Sequence, residues 1–216
     1  MRTSLKDGVV VTVPRRFSRR RLKDILLKER RLLDDAWARL ERKKQDLEVV
    51  RPERVRLPAL SEEWAVQYEF AELAGARARE NGSGRLVVSG GEEWFASVQG
   101  WLQAKAKDRL VPWLRRVSEA KGLPFRSAGV RAQRSRWASC SAKKSISLNQ
   151  KLLFLEPELV EYVFVHELCH TVQMNHSARF WAEVERYEPD ARRLRRDIRA
   201  AEQTVPQWWR LGREAN

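Results

Sequence analysis

The sequence is poor in the residues that mark disulfide-stapled or membrane-spanning proteins. Its 216 residues include only two cysteines, Cys140 and Cys169, which excludes a disulfide-rich secreted scaffold and favours a reducing compartment. No stretch approaches the roughly 18 consecutive apolar residues of a membrane helix, and the first residues lack the apolar core of a signal peptide. We therefore expect a cytoplasmic protein without a membrane span.

Acidic residues are also in the minority. The chain has 43 Lys and Arg against 29 Asp and Glu, a net charge of +14, while 43% apolar residues and nine Trp exclude intrinsic disorder. The basic excess falls in residues 1–50, with 15 basic and 8 acidic residues, and in residues 94–151, with 13 and 2. Such basic blocks have two alternative interpretations: they form solvated helix surfaces, or they bind nucleic acid without sequence specificity. The sequence contains no nucleic-acid recognition motif.

Hydrophobic periodicity predicts an α+β protein. Strands are predicted at 9–13, around Val55 and Leu57, and at 64–70, 86–89, 129–135 and 145–149. Helices are predicted at 19–45, 92–120, 157–174, 177–187 and 189–203. We expect the middle strands to form a small antiparallel sheet, the last two strands to form a hairpin, and Pro112 to kink or break its helix. The predicted division is residues 1–93 and residues 94–216, or one continuous domain.

The chain has three histidines, His166, His170 and His176, and they lie close together. His166 and His170 are four residues apart on a predicted helix, so their side chains share one face and can bind one zinc ion. Glu167 lies beside that face. Catalytic zinc keeps one position for a water whose pKa falls to about 7, and a carboxylate activates that water. The H-E-x-x-H motif therefore indicates a zinc hydrolase with Glu167 as the general base.

Catalytic zinc needs a third protein ligand, and His176 is the candidate. A turn after Met174 could bring His176 back to the metal. The spacing from the first to the third histidine equals that of the metzincins, but Gln173 occupies the position of their turn glycine. Glu183 or Glu185 is the alternative third ligand.

Five segments of the sequence together resemble a known family, the YgjP-like metallopeptidases, zincins related to the Wss-type and SprT-type proteases. The segments are RWASCS (136–141), ISLN (146–149), YVFVHELCH (162–170), NHSARFW (175–181) and PD (189–190). The N-terminal segment 9–16 and the helix after it are also similar to the family, so the resemblance covers nearly the whole chain. Ala138 stands where the family usually has glycine, and Lys143-Lys144 replaces a common glycine turn.

The resemblance implies a minimal zincin core with a small mixed or antiparallel sheet and an active-site helix. It implies that the three histidines bind zinc and that Glu167 is the catalytic base. In zincins an extended peptide pairs with a strand edge beside this helix, and segment 134–139 or 145–149 is the candidate edge. The candidate substrate-binding residues are Trp137, Ser139 and Asn175.

Three functions are compatible with these observations. A zinc-dependent metallopeptidase is favoured. A metal-dependent nucleotide pyrophosphatase is the second, because a basic cleft suits a triphosphate, although the chain lacks a glycine-rich phosphate loop. The third is a basic nucleic-acid-associated module with a structural zinc, against which the intact Glu167 argues, because a closed structural site needs no base.

Overall fold

The computed structural model describes residues 2–4, 8–10, 12–13, 17–46, 51–69, 77–133 and 135–215. Its strands and helices confirm the predicted α+β class. The chain folds into two compact units, Met1–Arg51 with Gln207–Asn216, and Pro52–Pro206. The predicted division at residue 93 remains a prediction. Among the described residues, no helix is both long enough and apolar enough to cross a bilayer.

The first unit contains a short hairpin and three helices. Strands β1 (Arg2–Ser4) and β2 (Gly8–Val10) pair antiparallel. The predicted strand 9–13 thus begins one residue earlier and ends at Val10; Val11 lies outside the described residues, and Thr12 and Val13 are not in a strand. The predicted helix 19–45 is divided at Glu29 into α1 (Arg19–Lys28) and α2 (Arg30–Asp46). Helix α7 (Gln207–Ala215) was not predicted.

The second unit begins with a four-stranded sheet. Strands β3 (Arg54–Leu57), β4 (Glu62–Glu69), β5 (Arg77–Glu80) and β6 (Arg85–Ser89) lie in the order β3-β4-β6-β5. The prediction of an antiparallel sheet is wrong for one pair, because β4 and β6 are parallel. The chain crosses from β4 to the outer position of β5 before it returns as β6, so β6 runs in the direction of β4. Phe70, the end of the predicted strand 64–70, lies outside the described residues.

Helix α3 (Trp94–Lys121) connects the two sheets of this unit. Its buried side chains recur about every four residues, as in Val98, Leu102, Leu110 and Leu114, and it packs against β5 and β6. The helix passes through Pro112 without a break, so the predicted break is absent. It ends at Gly122, whose φ of +65° is the left-handed conformation that glycine adopts without strain.

The second sheet has the order β7-β9-β8 and lies against α3 and α4. Strand β7 (Ser127–Arg131) is parallel to β9 (Ser145–Asn149), and β8 (Ala138–Cys140) is antiparallel to it. The predicted hairpin between 129–135 and 145–149 is therefore wrong, because the hairpin partner of β9 is β8. Arg134 lies outside the described residues. The β8–β9 turn requires a left-handed residue, and Lys144 adopts it with a φ of +57°.

Three helices complete this unit. They are α4 (Pro157–Cys169), α5 (Ala178–Tyr187) and α6 (Ala191–Ala200). Helix α4 ends five residues before its predicted end at Met174, and α6 is followed by a 3-10 turn at Ala201–Gln203. Helix α4 contacts β8, α3, α5 and α6, so it is the central element around which the candidate site is built.

Candidate metal centre

Helix α4 carries His166, and His170 follows directly at the C-terminal end of the helix. Pro157 occupies its first turn, where a missing N–H costs nothing, and Glu158 lies favourably near the positive end of the helix dipole. Its buried apolar residues surround most of the helix: Val160, Tyr162, Val163, Phe164, Val165 and Leu168. Polar groups at the end of such a helix need partners, because burying them unpaired is costly.

The three histidine side chains converge. Their candidate ligand nitrogens all lie within 4.8 Å of one another, and Nε2 of His176 is 3.2 Å from Nε2 of His166. Two nitrogens bound to one tetrahedral zinc at about 2.0–2.1 Å lie about 3.3 Å apart, so the observed separation fits one shared ion. The structure thus brings together the three predicted ligands, whereas Glu183 and Glu185 make ion pairs with Arg186 and Arg192.

The turn between α4 and α5 brings His176 to the cluster. The His170 Nδ1 lies 3.1 Å from the Gln173 carbonyl, an arrangement in which Nδ1–H donates and Nε2 is left for a metal. The Gln173 side chain donates to Oδ1 of Asn175 at 2.8 Å, and this oxygen also accepts from the Ser177 N–H at 3.4 Å. Asn175 thus lies in the turn that positions His176.

The aromatic ring of Phe180 packs against all three histidine side chains. Phe180 on α5 is fully buried and stacks on the His170 ring, with centroids 4.4 Å apart, and forms T-shaped contacts with His166 and His176. Burial, with the neighbouring His170 and His176 as further causes, lowers the pKa of His166 to about 3. Burial also lowers the pKa of His170. Both imidazoles are therefore neutral at pH 7, the form that binds metal.

Glu167 is a buried carboxyl group with one partner and one free oxygen. It is 6% exposed, and burial raises its pKa to about 7, against the lowering effects of Arg136 and of a hydrogen bond from the Cys140 backbone. Among the described residues, Oε2 of Glu167 has no hydrogen-bond partner. An orphaned carboxylate oxygen beside three converging imidazoles fits a site for a cation and a water.

The three histidines and Glu167 line a cavity of about 400 Å³, here called the metal cavity. Its lining consists of Arg136, Ala138, Ser139, Cys140, His166, Glu167, His170, Met174 and His176. Ser139 is the one residue of the three substrate-binding candidates in this lining. Cys140 also lines it, and burial raises the pKa of its thiol to about 11. A neutral thiol of this kind is a poor metal ligand at pH 7.

A second cavity of about 270 Å³, here called the lateral cavity, adjoins the first. It is lined by Ser135, Arg136, Trp137, Ala138, Tyr162, Val163, His166, Glu167, Trp181, Arg195, Ile198 and Arg199. Trp137 lies here, with Nζ of the buried Lys151 4.0 Å from its ring centroid. The predicted substrate-binding residues therefore occupy three places: the metal cavity, the lateral cavity and the α4–α5 turn.

Sequence reasoning did not identify several groups of this site. The Cys140 N–H and the Gln173 carbonyl are backbone groups and leave no trace in residue identity. The stacking of Arg195 on Trp181 joins two different helices. The sequence did contain one indication of these groups. Arg195 and Arg199 are four residues apart on a predicted helix, and this spacing places both side chains on one face.

Comparison with known proteins identifies one matching family. The family described as YgjP-like, metallopeptidase domain, matches residues 1–201. No curated protein matches the chain.

Two solved structures share a smaller part of the chain. The metallopeptidase zymogen of Pyrococcus abyssi abylysin is 29% identical, with a TM-score of 0.38, over 42% of this chain and 91% of that one. The zymogen of Methanocaldococcus jannaschii jannalysin is 21% identical, with a TM-score of 0.37, over 41% and 92%.

Proposed function

We propose that this chain, which belongs to the YgjP-like metallopeptidase family, hydrolyses peptide bonds with a zinc ion held by His166, His170 and His176 and with Glu167 as the general base. The convergence of three imidazoles on one point beside a buried, half-partnered carboxylate carries this proposal.

Zinc is the proposed metal because of the donor set. Three imidazole ligands with an open fourth position are typical of catalytic zinc sites, whereas magnesium and calcium prefer oxygen ligands. When bound, zinc polarises the scissile carbonyl and lowers the pKa of a water to about 7. The Gln173 carbonyl and the ring of Phe180 hold His170 in the orientation that ligation requires.

Glu167 is proposed to move the proton. The Cys140 N–H holds one side of its carboxylate, and Oε2 remains free to accept the proton of the attacking water. Glu167 then returns this proton to the leaving amine. In the metal-free protein burial raises the pKa of Glu167 to about 7, so the surroundings of this carboxyl group favour uptake of a proton from the water.

Strand β8 is proposed to align the peptide. Of the two predicted candidate edges, β9 is the central strand and has partners on both sides, whereas β8 lies at the end of the sheet. The register pairs Ser139 with Ser147, and Trp137 accepts from the Asn149 N–H, so the backbone groups of Ala138 and Cys140 face away from β9. The Cys140 N–H donates to Glu167, so the groups of this edge that remain for a peptide are those of Ala138 and the Cys140 carbonyl. A peptide added along this edge would pass the metal cavity, which Ala138, Ser139 and Cys140 line.

The test is a peptide-library cleavage assay with zinc-loaded wild type, Glu167→Gln and Glu161→Gln. Glu161 is an exposed residue of the same helix, whose carboxylate accepts from the Trp113 indole at 3.0 Å, and glutamine preserves that acceptor. We expect Glu167→Gln to keep its zinc and lose about 100-fold or more in turnover, and Glu161→Gln to behave as wild type. A metal-replete Glu167→Gln that cleaves at the wild-type rate would remove Glu167 from the mechanism.

The same proteins test the alternative functions. Glu167-dependent release of pyrophosphate from nucleoside triphosphates, without peptide cleavage, would establish the nucleotide hydrolase instead. A nucleic-acid partner for the basic blocks remains a prediction. It requires an affinity for random DNA that falls about 1000-fold or more between 50 and 200 mM salt for six to ten phosphate contacts.

A further inference from the structure

The lateral cavity has the size of a side-chain pocket and lies next to the proposed reaction centre. It shares Arg136, Ala138, His166 and Glu167 with the metal cavity, so a group bound in it would be adjacent to a peptide bond at the metal. Its volume of about 270 Å³ is below the roughly 300–1,000 Å³ of pockets for drug-sized ligands. One amino-acid side chain is therefore a suitable occupant.

The walls of the lateral cavity are apolar, and its charged groups other than Glu167 are basic. Tyr162, Trp181 and Ile198 provide surfaces for methylene groups. Arg195 and Arg199 belong to the same lining and come from one face of α6, four residues apart. The single acidic residue in the lining is Glu167, which belongs to the reaction centre.

The arginines of α6 differ in whether they have partners. Arg192 pairs with Glu185 at 2.9 Å, and Arg193 pairs with Glu158, Asp190 and Asp197. Within the described ranges, Arg195 and Arg199 make no ion pair with any acidic residue. Two like charges at this spacing repel each other, and an anion between them relieves the repulsion. Both α6 arginines in the lining of the lateral cavity are thus available to a ligand, whereas Arg196, which also makes no ion pair among the described residues, lies outside that lining.

The orientation of Arg195 favours a carboxylate. Its guanidinium carbon lies 3.8 Å from the ring centroid of Trp181, so the cation is held on the face of the indole. A guanidinium held in this way can still donate from the edges of its plane, which match the two oxygens of a carboxylate. Trp181 also stacks on His176, with centroids 5.6 Å apart, which fixes this arrangement beside the histidine cluster.

We propose that the lateral cavity binds a carboxylate of the substrate and gives the enzyme a preference for glutamate at one position next to the scissile bond. The apolar walls take the two methylenes, and Arg195 and Arg199 bind the carboxylate. This inference rests on the proposed peptidase function, since it defines which peptides that activity selects. A free chain terminus offers the same carboxylate chemistry, and the test separates the two sources.

The test compares peptides that differ only by Glu or Gln at each position flanking the cleaved bond. With zinc-loaded wild type, kcat/KM for the Glu peptide at one position should exceed that for the Gln peptide by about tenfold, the effect of one partly exposed charge-assisted contact. The double variant Arg195→Gln, Arg199→Gln should reduce this ratio to about one. Arg196→Gln, a change on the same helix outside the lateral cavity lining, should leave it unchanged.

A binding assay keeps the inference separate from catalysis. Calorimetry with the zinc-loaded Glu167→Gln variant should show the same Glu-over-Gln preference in affinity, whether or not the wild type cleaves peptides. Cleavage with equal kcat/KM for Glu and Gln at every position would overturn the glutamate preference and leave the peptidase proposal standing. Absence of any peptide cleavage, with the affinity preference intact, would overturn the peptidase proposal alone.

Peptides with an amidated C-terminus show whether the bound carboxylate belongs to a glutamate side chain or to the chain terminus. If blocking the C-terminal carboxylate removes binding while an internal Glu→Gln change does not, the site recognises a chain end, which supports the carboxylate site and overturns the glutamate preference. If neither change alters affinity, the carboxylate site itself is refuted.

Discussion

Replacing Glu167 by glutamine should change how the stability of the metal-free protein depends on pH. The side chain is 6% exposed, and burial raises its pKa from 4.5 to about 7. Glutamine keeps an oxygen that can accept from the Cys140 N–H, but it cannot ionise. The variant therefore isolates the cost of placing a carboxylate charge in this environment without deleting the side chain.

The sign follows from proton uptake in the two states. Between pH 4.5 and about 7 the folded protein keeps the Glu167 proton while the unfolded chain loses it, so the free energy of unfolding of the wild type falls as pH rises. Because glutamine cannot ionise, the Glu167→Gln variant lacks this fall in the free energy of unfolding. At about 1.4 kcal/mol per pKa unit, the stability of Glu167→Gln relative to wild type should increase across this interval by at most about 3 kcal/mol.

The measurement is urea denaturation of wild type and variant in chelator, at half-unit steps from pH 4.5 to 8. The low pKa of His166 makes both proteins less stable as pH falls below about 6.5, and this shared effect cancels in the difference. Glu161→Gln, which changes an exposed carboxylate of the same helix, is the control and should give a nearly constant difference. A constant difference for Glu167→Gln as well would refute the buried, raised-pKa state of this group.

Three further predictions concern the zinc ligands, the Lys151–Glu202 ion pair and the β8–β9 turn. His166→Ala, His170→Ala and His176→Ala should each lose most of the near-unit zinc content in elemental analysis, and full retention in His176→Ala would point to Glu183 or Glu185. Glu202→Gln should cost about 1–3 kcal/mol in urea denaturation, because it removes the negative charge that lies 2.8 Å from the ammonium of Lys151, a side chain that is 2% exposed; the double variant with Lys151→Met should lose less. Lys144→Gly should stabilise by about 0.5–1 kcal/mol, since it relieves a left-handed φ of +57° in the β8–β9 turn, and a destabilised variant would show that the lysine side chain matters more than its backbone.

Long-range pairing was the part of the fold that periodicity could not predict. The strands at 145–149 and 86–89 were found from local alternation, but the first was assigned the wrong hairpin partner and the second was expected in a sheet that is antiparallel throughout. Strand β9 pairs in parallel with β7, which precedes it by 18 residues in the register, and β4 pairs in parallel with β6. A strand's pattern shows which face is buried, not which neighbour it meets, because that choice depends on crossovers and on packing against α3.

The sequence by itself determined the α+β class, the helix that carries the motif, and the shared face of His166 and His170, because these depend on periodicities of a few residues. The tertiary structure alone brought His176 to within 3.2 Å of His166, set the Cys140 N–H against Glu167, and stacked Arg195 on Trp181. Each of these contacts joins separate elements. Their geometry follows from how the α4–α5 turn, the edge strand β8 and helix α6 pack around α4, and burial at that junction raises the pKa of Glu167 to about 7.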